Sequence, residues 1–389
     1  MDKFGYIIIC LLLYMGCTNQ QTIDLPSHIS ELENLTAYSI DTKPVYQIQF
    51  EKQQTFGDTD EVLFQRMGDI AIDDDGRVLI SESTIGYRNI YVFNPNGSYI
   101  GRIGSEGNGP GEYRTPTNLQ IKSNQLYVYD NLLKRVSKFS MNTFSHVSSF
   151  LLESDVDGIE FTNGMTVHNI LVRNDGQLLI GVNDPPIPNN HRFIHYFLFD
   201  QQGSITSEEL LRQRDETIFG DRFTAIMPDF NSHPLLSITS EDQIIIADSG
   251  EFLIQILDQA GQYIRAFYYP FNNLPLEKER YLDEKSTADF ERATVERIYN
   301  NVEFPETWPA LESMLVDEED RIWVSTIVER EDIYHWWILE NTGELVAKFD
   351  WPRDKPIKAV KNGFLYTLET NEETSLQQII RYRIDMSRL

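Results

Sequence analysis

The residues DIAIDDDGRVLISE at 69–82, followed by IYVFNPNGSYIGRIG at 90–104, decide the fold of this chain. Apolar and polar residues alternate on both sides of an Asp-Asp-Gly turn, and again on both sides of an Asn-Gly turn. Alternation with a period of two is typical of β-strands, and turns of this composition are typical of antiparallel hairpins. The stretch therefore predicts a small sheet of short antiparallel strands joined by tight turns.

The same pattern recurs along the rest of the chain. The further copies begin with NLQIKSNQLYVYD (118–130), NILVRNDGQLLIGVN (169–183), LLSITSEDQIIIADS (235–249), SMLVDEEDRIWVSTI (313–327) and IKAVKNGFLYTLE (357–369). Self-similarity of this kind is the sequence signature of propellers and solenoids. The last copy reaches the C-terminus before its outermost strand, whereas VYQIQFEKQQTF at 45–56 is an alternating strand without a partner at the other end.

These two incomplete ends complement each other. If the strand at 45–56 completes the last copy, six four-stranded sheets close into a ring that leaves no exposed sheet edge at the junction. We therefore predict an all-β fold, a six-bladed β-propeller of four-stranded antiparallel blades, over residues 45–389.

The longest insertion, at about residues 274–310, separates blades 4 and 5. It carries Val295, Ile298, Tyr299 and Val302 at helical spacing, with many charged residues between them. We expect it to form a helix that lies over one face of the ring.

Residues 1–16 form a hydrophobic leader. The run FGYIIICLLLYMG has the length of a signal peptide and is too short to span a bilayer. The sequence YMGC resembles the lipobox of bacterial lipoproteins, which implies acylation of Cys17. The lipid would hold the protein on a membrane of the cell envelope, the outer membrane being the expected one, with residues 17–44 as a polar tether. The alternative is an ordinary secretory signal followed by an unmodified cysteine. Whether the protein faces the periplasm or the outside is left open.

The composition excludes one class of partner. The chain has 60 acidic and 33 basic residues and a formal net charge of -27, so a phosphate backbone would repel it and nucleic acid is not expected to bind. Its two cysteines are Cys10, inside the leader, and Cys17. Cleavage before Cys17 would leave one thiol, so no intrachain disulfide is expected.

A glycine-rich loop, GSEGNGPGEYRTP at 104–116, precedes the second copy. A phosphate-binding loop would place its glycines before the N-terminus of a helix, with a lysine after them. Strands follow here instead and no such lysine is present, so we interpret the loop as the connection between one blade and the next. The residues assigned to this structural role are Gly107, Gly109, Pro110, Gly111, Glu112, Tyr113 and Pro116.

This loop and the blade after it also resemble a known repeat. The pattern G-x-G-P-G-E-[FY]-x-x-P, together with Asp130 and the following Arg135, is similar to the NHL-type blade. With the lipobox, the chain resembles the six-bladed NHL-like or TolB-like propeller lipoproteins common in Bacteroides and its relatives. The resemblance implies a propeller fold and export, and it implies very little about biochemical activity.

Candidate ligand groups lie where the inner strands of the blades would converge, at the mouth of the central channel. Alignment of the copies on their turns places at equivalent positions Asp69, Asn118, Asn169, Leu235, Ser313 and Ile357. One carboxylate and two amide oxygens could form part of a Ca²⁺ site. The set weakly resembles the metal ligands of gluconolactonase-like hydrolases, although a further acidic ligand is not evident. The alternative, which the residues favour, is that these groups cap strand ends and bind water.

Two histidines and one tryptophan complete the candidates. His168 and His233 precede inner strands and could act as general bases at the channel mouth, or lie there by chance. Trp308 lies among prolines in the insertion and is the aromatic residue that we expect to face solvent, whereas the other tryptophans are expected in the core. No known catalytic motif is present, and no catalytic residue is assigned.

Two functions are consistent with the sequence. The first is an exported, lipid-anchored and non-catalytic module that binds a glycan, a peptide or an envelope protein. The alternative is a metal-dependent hydrolase or lyase, gluconolactonase-like, with its site at the channel mouth. The fold does not decide between them, because propellers carry both kinds of function.

Overall fold

The computed structural model of the protein describes residues 25–57, 62–82, 88–152, 155–156, 159–160, 166–185, 192–219, 225–226, 228–286, 292–299 and 302–389. The predicted signal peptide and Cys17 lie outside these residues. Within the described parts of the chain, no helix is long and apolar enough to cross a membrane.

Most of the described chain consists of short strands. The N-terminal elements are α1 (Ser27–Ser30), β1 (Leu35–Ala37) and β2 (Tyr46–Phe56). Blade 1 and the loop after it contain β3 (Met67–Ile72), β4 (Val78–Glu82), β5 (Ile90–Phe93), β6 (Tyr99–Ile103), β7 (Ser105–Glu106) and β8 (Glu112–Tyr113). Blade 2 and its following loop contain β9 (Pro116–Lys122), β10 (Gln125–Asp130), β11 (Arg135–Ser140), β12 (His146–Leu151), β13 (Asp155–Val156) and β14 (Ile159–Glu160).

The remaining blades follow in the same order. Blade 3 and its loop contain β15 (Thr166–Val172), β16 (Leu178–Asn183), β17 (Arg192–Phe199), β18 (Leu211–Asp215), β19 (Ile218–Phe219) and β20 (Ala225–Ile226). Blade 4 and the insertion contain β21 (Pro234–Ile238), β22 (Ile244–Asp248), β23 (Leu253–Leu257), β24 (Tyr263–Tyr268), α2 (Lys278–Glu284) and α3 (Arg292–Tyr299). Blades 5 and 6 contain β25 (Leu311–Val316), β26 (Ile322–Ile327), β27 (Ile333–Leu339), β28 (Leu345–Pro352), β29 (Ile357–Lys361), β30 (Phe364–Thr370) and β31 (Gln377–Arg388).

Each blade is an antiparallel sheet whose four strands run from the channel outward, which confirms the predicted six-bladed β-propeller. Blade 6 takes its outermost strand from the N-terminal side, because β2 pairs with β31 from Tyr46 opposite Arg388 to Phe56 opposite Ile379. This pairing joins the two ends of the folded chain and covers the edge that β31 would otherwise expose.

The hydrophobic core is divided into layers between neighbouring blades. Both faces of the middle strands are covered, so all residues of β4, β16 and β26 are buried. Trp337 of blade 5, for example, packs edge-on against Phe252 of blade 4 at 5.2 Å between ring centroids. Trp323 and Trp336 lie in the next layer, between blades 5 and 6. Because every blade needs a neighbour on each side, the ring is the smallest unit that buries these faces.

The described part of the predicted tether packs on the ring. β1 adds a fifth strand to blade 4 by pairing in parallel with β24. Tyr38 then stacks on Tyr269, with ring centroids 5.2 Å apart, and donates a hydrogen bond to the Thr342 carbonyl of blade 5 at 3.0 Å. Residues 25–44 therefore lie along the outside of blades 4 and 5 before β2 enters blade 6.

The insertion between blades 4 and 5 contains two helices and has a small core of its own. Its buried apolar residues are Tyr281, Leu282, Val295 and Val302, and Phe230, from the loop before β21, packs against them. It lies on the face of the ring where the inner strands begin, which we call the upper face, because strands alternate in direction and the loops leading into inner strands all lie on that side.

Candidate functional site

The glycine-rich loop connects β6 of blade 1 to β9 of blade 2, and its polar groups are bonded within the protein. The Glu112 carboxylate accepts the Gly109 N–H at 2.7 Å. Arg135 donates to the carbonyls of Asn108, Gly109 and Glu112 at 3.0, 3.1 and 2.6 Å. The Tyr113 hydroxyl is buried and donates to the Ile103 carbonyl at 2.7 Å. These hydrogen bonds fix the loop that connects blade 1 to blade 2.

The inner strands contain irregularities that the sequence alignment does not reveal. In five of them the pairing with the second strand shifts near the start. The residues left unpaired at these shifts are Gly68, Asp69, Asn118, Leu119, His168, Glu312 and Lys358. A one-residue bulge exchanges the two faces of a strand for all residues on one side of it. In blades 3, 5 and 6 the residue at the bulge, His168, Glu312 or Lys358, therefore differs from the one that a bulge-free alignment selects. In blades 1 and 2 the aligned residues, Asp69 and Asn118, lie at the shift themselves.

Asp69 acts as a bridge between two blades. Its carboxylate accepts the N–H of Ile70 at 3.0 Å and the N–H of Leu119, on the neighbouring inner strand, at 2.7 Å. Protein surrounds this carboxylate in the channel and raises its pKa, whereas these two N–H bonds and the nearby charge of Lys358 lower it. Asn118 lies beside Leu119 with a positive φ of 49°, which Asn tolerates better than most residues.

Two of the predicted ligands point elsewhere. Asn169 pairs with Gly181 across blade 3, and its side-chain oxygen lies against that glycine. The Ser313 hydroxyl lies 2.8 Å from that of Ser325 in blade 5. The structure therefore does not bring Asn169 or Ser313 together with Asp69.

The two candidate histidines occupy different parts of the channel mouth. His168 lies at the bulge of β15, where burial lowers its pKa and the charges of Asp215 and Arg192 act in opposite directions. The His233 Nε2 lies 2.9 Å from the Glu312 carbonyl oxygen, and its Nδ1 lies 3.2 Å from the Ser249 hydroxyl. No hydrogen bond joins the two histidines in the described part of the chain.

The predicted Ca²⁺ site stays a prediction. Both carboxylate oxygens of Asp69 accept backbone N–H groups, and the Asn169 side-chain oxygen contacts Gly181 within blade 3. Among the described residues, no three His, Cys, Asp or Glu side chains form a group that could hold a metal ion.

A cleft of about 610 Å³ opens between the insertion and blade 5 on the upper face. Residues 274–277 and α2 form one wall, and residues 327–331 with Arg353 form the other. Trp308 lines the cleft, half-buried, with its ring 6.0 Å from that of Tyr281. The tryptophan singled out in the sequence thus lies in the lining of a cleft beside the helices.

Two cations of the cleft, Lys285 and Arg280, form ion pairs with carboxylates of its lining. The Lys285 ammonium lies 2.7 Å from the Asp229 Oδ2 and 5.2 Å from the centre of the Tyr281 ring. The Tyr281 hydroxyl donates to the other carboxylate oxygen of Asp229 at 2.8 Å. Arg280 pairs with Glu284 at 2.7 Å and also contacts Glu331.

Behind the cleft lies a half-buried acidic residue, Glu312, that sequence reasoning missed. Burial raises the pKa of Glu312, although the charges of His233 and Arg353 lower it. Burial together with Glu312 raises the pKa of Tyr334 to about 12. The Arg353 guanidinium lies 4.5 Å from the centre of the Tyr334 ring and donates to the Ile333 carbonyl at 2.8 Å. Only the bulge at Glu312 brings this carboxyl here, and no turn or glycine in the sequence signals that bulge.

Comparison with known proteins supports the fold. Residues 38–164, which comprise β2 and blades 1 and 2, match the model of the DUF5128 family, described as a 6-bladed beta-propeller. A DUF4221 family member from Bacteroides vulgatus is 11% identical over 88% of this chain and 99% of its own, with a TM-score of 0.55. An exported-protein candidate of Bacteroides fragilis is 14% identical over 90% of this chain and 99% of its own, with a TM-score of 0.51. At these identities the similarity establishes the fold alone. No curated protein matches the chain significantly.

Proposed function

We propose that the protein is an exported, lipid-anchored β-propeller of the bacterial cell envelope, which binds a peptide segment of another envelope protein without catalysis. The observation that carries this proposal is the cleft of about 610 Å³ between the insertion and blade 5. Ligand sites are commonly concave, partly apolar and provided with a few fixed polar groups, and this cleft combines those features.

The lining of the cleft favours a peptide over a glycan. Its described side chains are apolar, aromatic or charged, and they include no Ser, Thr, Asn or Gln. Most of its polar groups carry a formal charge, which a charged peptide side chain can neutralise and an uncharged sugar hydroxyl cannot. Apolar surface beside carboxylates instead suits peptide side chains that combine an apolar stem with a polar end.

Nothing in the described residues favours the metal-dependent alternative. Of its predicted ligands, Asp69 accepts N–H groups from two blades, and the Asn169 side-chain oxygen lies against Gly181. The hydrolase or lyase therefore stays a prediction without a supporting observation.

Crosslinking in intact cells tests the proposed site. A photoreactive phenylalanine derivative is placed at Trp308 of the full-length chain, and as a matched control at Asn142, which is exposed on the lower face in the loop between β11 and β12. We expect a defined protein adduct from position 308 and none from 142. Equal patterns from both positions, or no adduct from 308 and from a second cleft position, Glu329, would overturn the proposal.

The anchor is tested separately. Cys17→Ser is expected to move the protein from the membrane fraction to the soluble fraction, because the acylated thiol is lost. Cys10→Ser changes a cysteine within the leader and should leave the distribution unchanged. If both variants stay in the membrane fraction, the proposal of a lipid anchor at Cys17 is wrong. The proposal of a binding cleft does not depend on this result.

A further inference from the structure

We propose that the cleft recognises a lysine side chain of the partner segment, and that Lys285 occupies the ammonium position when no partner is bound. This inference rests on the proposed function, since it names the chemistry that the cleft selects. It is carried by the charge of the lining, by the position of Lys285 and by the geometry of Asp229.

The cleft is negatively charged in spite of its internal ion pairs. Three cationic side chains line it, Arg280, Lys285 and Arg353. The carboxylates that line it are Asp229, Glu277, Glu284, Glu329 and Glu331. Glu277 and Glu329 form no ion pair with another described residue, and five carboxylates against three cations leave the lining with a formal net charge of about -2. A cationic ligand would complement this charge.

Lys285 already shows how an ammonium group fits. Its Nζ is held between the Asp229 carboxylate, at 2.7 Å, and the face of the Tyr281 ring, at 5.2 Å. A carboxylate beside an aromatic face is a favourable site for an ammonium ion. The Lys285 side chain is 42% exposed and follows the last turn of α2, so it can leave this position without unfolding the insertion.

The receiving groups stay in place when Lys285 moves. Tyr281 is only 2% exposed and belongs to the core of the insertion. Its hydroxyl holds the Asp229 Oδ1 at 2.8 Å and lies 3.2 Å from the Tyr299 hydroxyl. The carboxylate is thus oriented before any ligand arrives, which lowers the entropy lost on binding.

The geometry selects lysine over arginine. Because Tyr281 occupies Oδ1, Asp229 offers Oδ2 alone to a ligand. A guanidinium binds best through two parallel hydrogen bonds to both carboxylate oxygens, whereas an ammonium acts as a point charge. The apolar surface of Trp308, Leu276 and Ile327 in the same cleft suits the methylene stem of lysine.

Three charge variants test the inference: two are expected to change the affinity for a lysine peptide in opposite directions, and the third is a matched control. Lys285→Met vacates the ammonium position and should raise the affinity for a lysine peptide by about tenfold, the effect of releasing one charge pair. Asp229→Asn should lower it. Lys278→Met removes the same charge from the same helix, but Lys278 lies over the Phe304 ring outside the cleft lining, so it should change affinity little.

The probes are acetylated, amidated pentapeptides of neutral residues with a central lysine, norleucine or arginine. Binding to the full chain is followed by Trp308 fluorescence, with Trp308→Phe identifying the signal. The expected order is lysine above arginine above norleucine. Equal binding of lysine and norleucine peptides, or no gain of Lys285→Met over Lys278→Met, would overturn the inference.

Chitosan and chitin oligosaccharides test the glycan alternative, and a preference for chitosan over all peptides would also overturn the inference. If position 308 still crosslinks a partner in cells, the proposed function survives that result.

Discussion

Single residues at the starts of the inner strands determine what the channel mouth offers. The bulges place His168, Glu312 and Lys358 where a regular alignment would place Asn169, Ser313 and Ile357. The two residues compared in each blade are neighbours in the chain, yet the side chain at the bulge is ionisable and the other is not. Charge at the mouth is thus set by backbone irregularity as much as by residue type.

Asp69 is expected to stabilise the fold and to hold no metal. Asp69→Asn removes a charged acceptor from the Leu119 N–H, and we expect the free energy of unfolding to fall by about 1–3 kcal/mol. Urea unfolding measures the loss, and elemental analysis of both proteins, purified without chelator, measures metal content. One divalent ion per chain that disappears in the variant would contradict this interpretation and revive the hydrolase alternative.

The raised pKa of Glu312 predicts that the stability of the folded protein depends on pH. Burial raises its pKa in the folded protein, so the folded state favours the protonated form, and stability is lost as pH rises through that pKa. Glu312→Gln stays neutral, so its stability relative to wild type should increase as the pH rises above about 4.3, the ordinary pKa of a glutamate side chain. Urea titrations at several pH values measure this, with the exposed Glu372→Gln as control. A difference that does not change with pH would show that the carboxyl is stabilised equally in both charge states.

At the scale of elements, β2 is the strand that closes the ring. It carries the chain into blade 6 and pairs with β31 along its whole length. Phe56 at its end is completely buried and packs edge-on against Phe93 of blade 1, at 6.3 Å between centroids. One strand therefore both completes a blade and closes the contact between the last blade and the first.

Phe56→Ala is expected to destabilise the protein strongly. Loss of a fully buried phenylalanine typically costs about 3–5 kcal/mol. Glu51→Ala on the same strand removes only an exposed partner of Arg383, so it should change stability by less than about 1 kcal/mol. Thermal or urea unfolding compares the two. A small effect of Phe56→Ala would mean that the ring stays closed without this contact.

At the scale of the whole molecule, layered packing and charge act against each other. Six inter-blade layers bury the apolar faces, while a formal charge of -27 repels itself over the surface. The negative net charge also disfavours polyanionic partners and favours cationic ones, in agreement with the net negative charge of the cleft lining.

Screening should therefore stabilise the folded protein. Raising the salt concentration from about 10 mM to about 150 mM shortens the Debye length from about 30 Å to about 8 Å. We expect Tm to rise by several degrees, equally with NaCl and KCl. A fall in Tm would indicate that attractive ion pairs outweigh the net repulsion, and a response to one cation alone would indicate specific ion binding.

The fold could be read from local pattern because a propeller repeats one hairpin motif. Alternating strands and turns such as Asp73–Gly76 recur in each copy, and the unpaired strand at 45–56 complements the incomplete copy at the C-terminus. Trp308 could be singled out for the same reason, since proline and charge around it differ from the strand pattern. These features depend on residues close in sequence, where period and turn chemistry act directly.

The candidate site was decided by tertiary structure. Asp229, Lys285 and Arg353 are far apart in sequence, and only the packing of the insertion against blade 5 brings them to one cleft. Glu312 reaches the channel through a bulge that depends on hydrogen bonds with the neighbouring strand. Sequence determined the ring and the net charge, because these follow from local periodicity and composition. Tertiary structure alone decided which charges meet, because that depends on side-chain direction and on contacts between distant segments.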